Sequence, residues 1–523
     1  MGDTTSVTHS NCGLGELHLV YCPLVNGSTL GHEKGLDTID VSHVTVSIGI
    51  LNDDVLLSVF DSRRLANEVD DDFDDMEDAF DQRNWNWDRQ RWWRKLTQVC
   101  RRWRSLILAS PSRLNLHVVC TKDAPLAVIP AHFLHLPLVV IYGLDDGEEI
   151  PPDDERNILL SLQRHHHVRR VFLRAPTPVL QKMIVPLDDE FPLLDSLAIT
   201  STSDDDSTGL KFPRSLRAPN LRHLILVNVA LQPGIPILTT PIHLVALVLQ
   251  DIPTSAHIPP ECVVDLLEFI PQLKMLSVGF RPPVADLDVG TQLVPEVHKT
   301  FITLHCLKQL QFRGASAHLE GLLARINAPI LRQFYIRFPN QRSFGTLPNL
   351  SRFLETTTEL RFRVAEMNFH RHSVTIDMVN LRPRRGDTTV FRLRAKGNQL
   401  DWQIASASRI CRAIVPVFSV ADELTFSYRA HETFSDTRTR DSRAQWLQIL
   451  GQFSGVKTLR VASGLAEELS FHLQSEGEEP LLGLLPRLQQ IEVPAWGNVA
   501  DVFAAFIDSR RIAGHPVNLV RKS

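Results

Sequence analysis

The chain has no Cys-x-x-Cys pair, no apolar run approaching twenty residues, and no glycine-rich phosphate-binding signature. Its seven cysteines (Cys12, Cys22, Cys100, Cys120, Cys262, Cys306 and Cys411) are odd in number and scattered, which suits reduced thiols rather than a disulfide framework. No positively charged segment precedes the apolar stretch near the amino terminus, so neither a secretory signal nor a membrane span is expected. The expected compartment is the cytoplasm, the nucleus or both. Asn26-Gly27-Ser28 fits a glycosylation sequon, but without a secretory signal it carries little weight.

Catalytic signatures are missing too. There is no Gly-x-Ser-x-Gly, no Gly-x-x-x-x-Gly-Lys-Ser/Thr and no His-Glu-x-x-His, and Gly13-Leu14-Gly15 lacks the third glycine of a dinucleotide fingerprint. His165-His166-His167 and the pair His370 and His372 have no cysteine or carboxylate at ligand spacing. Adjacent histidines on a regular element also cannot all face one ion. No catalytic residue, metal site or cofactor is expected.

What is present reads as globular. The 523 residues can enclose a large core and more than one domain; 43% are hydrophobic and 22% charged. A formal charge of −5 gives no global reason to expect nucleic acid or an anionic membrane as a partner.

The first 49 residues suggest no particular fold. After them, Asn52 or Asp53 is suited to cap a short helix, in which Val55, Leu56, Val59 and Phe60 recur at helical spacing. Leu96, Val99, Cys100, Trp103 and Leu106 repeat the pattern up to Ser110-Pro111, predicting a second helix with Arg101, Arg102 and Arg104 largely on its solvated side. Between the two lies an insertion, about residues 61–90. It carries an acidic block (Asp70, Asp71, Asp72, Asp74, Asp75, Glu77, Asp78), followed by a stretch with Trp85, Trp87, Trp92 and Trp93 among arginines. That many like charges are expected to form a solvated loop. A calcium loop is disfavoured because Asp75 stands where an EF-hand needs glycine, and a nucleic-acid surface because the acidic block would repel phosphates.

Residue identities add more than periodicity. Leu51-Asn52-Asp53-Asp54-Val55-Leu56-Leu57-Ser58-Val59-Phe60 resembles the opening helix of an F-box, and Val99-Cys100-Arg101-Arg102-Trp103-Arg104-Ser105-Leu106 resembles its closing half. The continuation Ala109 to Leu116 is similar to the sequence that follows the F-box in basidiomycete fungal proteins. The family's usual proline after the first leucine is Asn52 here. The resemblance implies an F-box-like helical domain over residues 50–121. It also implies a role as the substrate-recognition subunit of a Skp-cullin-F-box ubiquitin ligase, the partners being the Skp adaptor, the cullin complex and a target protein. Leu51, Val55, Leu56, Phe60, Leu96, Val99 and Cys100 would then contribute apolar surface to the adaptor, while Trp103 and Leu106 lock the helices together. A protein-interaction scaffold without ligase activity is the alternative.

From about residue 122 to 523 the chain is self-similar. Apolar residues at template positions one, four and six occur as Val168-Val171-Leu173, Leu194-Leu197-Ile199, Leu221-Leu224-Leu226 and Leu244-Leu247-Leu249. They recur as Leu273-Leu276-Val278, Leu307-Leu310-Phe312, Leu331-Phe334-Ile336, Val456-Leu459-Val461 and Leu488-Ile491-Val493, with looser copies at Thr357-Leu360-Phe362 and Ala421-Leu424-Phe426. Most spacings are about 23–34 residues, overlapping the leucine-rich repeat range of roughly 20–29. The last two anchors lie two apart and so share one side of a strand, and helical stretches such as Val263–Ile270 and Leu319–Ile326 intervene. The predicted fold class is therefore α/β: a leucine-rich-repeat-like solenoid with a curved parallel sheet and outer helices. A doubly wound α/β enzyme has the same alternation, but the repeated three-residue anchor favours the solenoid.

Residues 367–403 break the rhythm. Ser373–Val379 and Thr388–Arg394 alternate like strands around the turn residues Pro383 to Asp387, predicting an inserted antiparallel hairpin. Template positions three, five and seven point away from the core. They are bland or apolar early (Ser196, Ala198, His223, Ile225, Val227, Ala246, Val248) and become basic later. Arg313, Tyr335, Arg337, Arg361 and Arg363 are the expected target-binding residues. They would form one stripe across neighbouring repeats, suited to an acidic or phosphorylated target.

Overall fold

The computed structural model describes residues 51–68, 92–122, 124–144, 151–203, 209–232, 234–281, 301–339, 344, 346–357, 359–360, 362–381, 388–397, 399–428, 440–473, 483–494 and 502–522. The first 49 residues, the acidic block, most of the tryptophan-rich stretch and Arg361 lie outside them. The chain divides into two compact units, Met1–Leu56 and Leu57–Ser523.

Within the first unit, Asn52 caps the start of helix Asp53–Glu68. Its Oδ1 accepts the Val55 backbone N–H at 2.8 Å, and Asp53 and Asp54 occupy the first turn, where negative charge suits the unpaired N–H groups. The helix runs to Glu68, so the first eight residues of the expected insertion are helical.

The second unit is mixed α/β, built on one mostly parallel sheet of sixteen strands. Nine of these pair in parallel in chain order: Val118–Cys120, Leu138–Gly143, Val168–Ala175, Ser196–Ser201, His223–Val227, Ala246–Ile252, Met275–Phe280, Gln309–Arg313 and Gln333–Phe338. The sheet begins at Val118–Cys120, inside the segment expected to be a separate helical domain, so residue 121 marks no break. The strand order of these nine has no reversal, whereas a doubly wound sheet reverses at a switch point.

The anchors explain the elements. Leu310 and Phe312, Phe334 and Ile336, and the other paired anchors are buried in one continuous core, together with Leu319 and Leu322 of helix Ser316–Leu323 and Leu350 and Phe353 of helix Pro348–Thr356. The helices cover that side of the sheet. Several of them start on proline, as Pro152, Pro260 and Pro348 do in Pro152–Leu162, Pro260–Leu267 and Pro348–Thr356. Proline suits this position because its missing N–H would have no partner in the first turn. The loose copy Thr357-Leu360-Phe362 is buried but carries no strand; the strand that follows is Val364–His370.

The expected hairpin is part of a larger interruption. Ser373–Leu381 pairs antiparallel with Thr388–Lys396, as its sequence predicts, but it also pairs antiparallel with Val364–His370. Thr388–Lys396, the last of the three in sequence, lies beside Gln333–Phe338, and Val364–His370, the first, lies beside Glu423–Tyr428. Parallel order then resumes through Thr458–Val461, Gln490–Pro494 and Asn518–Lys522. No helix among the described residues is long and apolar enough to cross a membrane.

Candidate functional site

Two surfaces collect the residues singled out by sequence. On the helical segment, the predicted second helix is two helices, Trp92–Thr97 and Arg101–Ala109. Cys100 makes the break. Its backbone is extended (φ −156°, ψ 170°) and its Sγ accepts the Trp103 N–H at 3.4 Å, so it caps the second helix instead of continuing the first. Trp93 anchors the shorter helix, buried and edge-on to Phe133 with ring centroids 5.4 Å apart. The two short helices are tied by Arg104 Nε, which donates to the Thr97 carbonyl at 2.9 Å. Arg113 donates to Ser58 Oγ at 3.4 Å.

Helix Asp53–Glu68 sorts its apolar residues differently from the expectation. Leu56 and Phe60, assigned to the adaptor surface, are each 1% exposed, and Leu57 is buried as well. Phe60 spends its ring on Trp103, edge to face at 4.9 Å, so it packs the module internally. Val55 and Val59 are 43% and 53% exposed. Val59 lies four residues from Val55, the spacing that places the two on one helical stripe. Leu51, Leu96 and Leu106 are half-buried, Cys100 is exposed, and Val99 is 59% exposed. Trp103 is half-buried.

The second surface is the sheet face turned away from the helices. Early strands place Ile225, Ala246, Val248 and Met275 there as a small apolar cluster flanked by Ala198 and Val227. Further along, the face becomes basic. Register puts Arg313 directly opposite Arg337, and Arg337 directly opposite Arg394, on three adjacent parallel strands; in the same way Tyr335 lies opposite Arg392. Lys396, two residues beyond Arg394, continues the series on the same side. Arg313 is half-buried, whereas Arg337, Arg392, Arg394 and Lys396 are exposed.

Two carboxylates bond to residues of this row. Asp251 accepts from Arg313 Nη1, reached through a register shift between Leu249 and Ile252 and a left-handed backbone at Asp251 (φ 50°). Asp377 accepts from Arg392 Nε at 2.7 Å, and Arg394 Nε donates to Ser373 Oγ at 3.1 Å.

Arg363 stands apart from the expected stripe. It leads into Val364–His370, which is separated from Gln333–Phe338 by the two other strands of the interruption, and it pairs with Asp422 at 3.2 Å. The structure thus brings Arg313, Tyr335 and Arg337 together, replaces Arg363 by Arg392 and Arg394, and leaves Arg361 outside the described residues. The signal for the missed pair was the alternation Val390-Phe391-Arg392-Leu393-Arg394, whose strand was legible but whose neighbour was not.

No group of three or more His, Cys, Asp or Glu side chains that could hold a metal ion occurs among the described residues. His165 and His166 contact each other, with their Nε2 atoms 3.0 Å apart. Burial pushes the imidazole of His223 down to about 4 and that of His318 down to about 3, so both are neutral near physiological pH. No protein-family model matches the chain, and no curated protein matches it either.

Proposed function

We propose that this protein is the substrate-recognition subunit of a Skp-cullin-F-box ubiquitin ligase. It would dock on the Skp adaptor through the helical segment and hold a target on the open face of a leucine-rich-repeat-like solenoid. The observation that carries the reading is the outward placement of Val59 and Val99, each more than half exposed, on a helical segment whose other described large apolar residues, Val55 apart, pack inward or half-inward. Scattered exposed apolar residues are ordinary. These two, however, lie in the segments whose sequence resembles an F-box, where the family places its adaptor contacts. Val55 is exposed in the other unit and belongs to the same motif.

Leu56 and Phe60 keep a different role in this reading. Both are buried, and the adaptor would meet Val59, Val99 and the exposed Cys100. The sequential parallel strands and the helices on one side support the repeat-solenoid half, because stacked strand-helix units bury a continuous core that no single unit could bury alone. The protein would carry out no bond-making itself.

Size-exclusion chromatography of the purified chain mixed with the Skp adaptor tests the proposal. Co-elution as one complex is the expected result, and separate elution at micromolar concentrations contradicts it. The competing reading, a scaffold built on the same sheet, is favoured by separate elution combined with retained target capture.

A further inference from the structure

Exposed apolar side chains are ordinary when scattered, but at one end of the large sheet they are aligned. Leu193, Ile242, Phe269 and Ile330 are exposed, and each lies in a turn just before a parallel strand: Ser196–Ser201, Ala246–Ile252, Met275–Phe280 and Gln333–Phe338 respectively. A backbone ladder stacks these turns side by side. The Arg222 N–H donates to the Asp195 carbonyl at 2.8 Å, Val245 to Arg222 at 2.7 Å, Lys274 to Val245 at 2.8 Å, Lys308 to Lys274 at 2.8 Å and Arg332 to Lys308 at 2.9 Å. The edge thus carries apolar side chains in its turns and, nearer the strands, the exposed cations Arg222, Lys274 and Lys308. Asp195, the carboxylate of that row, already takes Arg169 at 2.7 Å and Arg170 at 3.2 Å.

We infer that this edge binds an acidic amphipathic helix of a partner protein. The site is separate from the open face and does not depend on the receptor reading. Charge sets the sign of the partner, because exposed cations beside apolar side chains are complementary to carboxylates flanking an apolar stripe. The backbone sets its form. The N–H and carbonyl groups of the edge row are bonded to one another, so an extended peptide finds no sheet edge to lengthen there. A helix brings its own backbone satisfied and offers apolar residues at i, i+3, i+4 and i+7. Length agrees as well. Leu193 and Ile330 are five strand spacings apart, roughly 24 Å at about 4.8 Å each, which about sixteen helical residues cover. The exposed carboxylates of Asp189 and Glu190 beside Leu193 suit the positive amino-terminal end of the helix, which orients its carboxyl end toward Ile330. An anionic bilayer fits less well. Asp189, Glu190 and the exposed Glu268 would all face its headgroups, whereas a helix can set neutral residues against them.

Fluorescence anisotropy on the full chain tests the edge. The probe is a labelled helical peptide of about sixteen residues, with one leucine stripe flanked by Asp and Glu. The comparisons are the same composition in scrambled order, a version with Lys in place of the acids, a single-stranded oligonucleotide, and vesicles of phosphatidylserine and phosphatidylcholine. At low salt the acidic amphipathic peptide binds saturably and more tightly than each of these, and its binding weakens as salt rises. Ile242→Ser with Phe269→Ser, and separately Lys274→Glu with Lys308→Glu, each lower the affinity by about tenfold or more. Melting temperatures stay unchanged, because all four positions are exposed. Lys211→Glu, at an exposed lysine that follows strand Ser196–Ser201 instead of preceding a strand of the large sheet, leaves binding unchanged. Equal binding of the scrambled peptide, no saturable binding at low salt, parent-like affinity in both double variants, or tighter binding of the vesicles or the oligonucleotide overturns the inference.

Discussion

Phe60 meets Trp103 edge to face, with ring centroids 4.9 Å apart, so two helical segments far apart in sequence are in contact in space. The contact explains why Phe60 is buried. An aromatic pair of this geometry adds about 0.5–1.5 kcal/mol beyond the area it buries.

Phe60→Ala is therefore expected to destabilise the helical segment by about 3–5 kcal/mol, the range for deleting a buried phenylalanine. Val59→Ala, at a position more than half exposed, should change stability by less than about 0.5 kcal/mol. Urea denaturation followed by tryptophan fluorescence distinguishes the two. Similar losses for both variants would mean that the helix is turned differently.

The later repeats make a sharper steric prediction. A Cβ on Gly455 would clash with the Ser419 carbonyl oxygen and lie 3.0 Å from that of Ala421, and backbone atoms cannot swing aside. Gly455→Ala should cost about 1–3 kcal/mol, as overpacking does. Gly451→Ala, whose Cβ would find only Leu484 at 3.9 Å, should be neutral or mildly stabilising at the end of its helix. Thermal melts of the two variants check the pair.

Acid should weaken the last strands through Glu492. Burial alone would push its carboxyl up, but hydrogen bonds from Lys522 and Arg460, with their charges, outweigh it and hold the group below the usual glutamate value. A carboxyl lowered in the folded state contributes stability that is fully present above its unfolded value near 4.5. That contribution is lost as pH falls through the folded value. Melting temperatures of the parent and of Glu492→Gln should thus differ most near neutral pH, the parent being higher, and should converge in acid, once the pH has fallen through the folded value. A gap that stays constant with pH would show that the ion cluster adds no net stability.

Much of this architecture was legible in the residues. The anchors Leu310 and Phe312, or Leu459 and Val461, announce buried strand positions because every second residue of a strand faces the same side. The alternation of Ser373–Val379 announced a hairpin for the same reason. Periodicity says which residues are buried but not which strand lies beside which. The three-stranded interruption folds back on itself, so Arg394 rather than Arg363 stands next to Arg337. The helical segment failed in another way. The apolar spacing from Leu96 to Leu106 fits one helix, and a single extended residue, Cys100, divides it. On helix Asp53–Glu68, Val59 and Phe60 are both apolar, and spacing alone does not say that Phe60 is the one that meets Trp103.

The docking claim stands or falls on Val59 and Val99. Val59→Asp with Val99→Asp places a charge on each exposed position, where the free protein tolerates it but a water-excluding contact would not, at a cost of several kcal/mol. Calorimetric titration of the purified Skp adaptor into the parent and into this double variant is the most direct measurement. Saturable binding by the parent, loss of binding by at least about a hundredfold in the variant, and unchanged melting temperatures are the predicted result. Binding of equal strength by both proteins, or no heat of binding from the parent, would contradict the account.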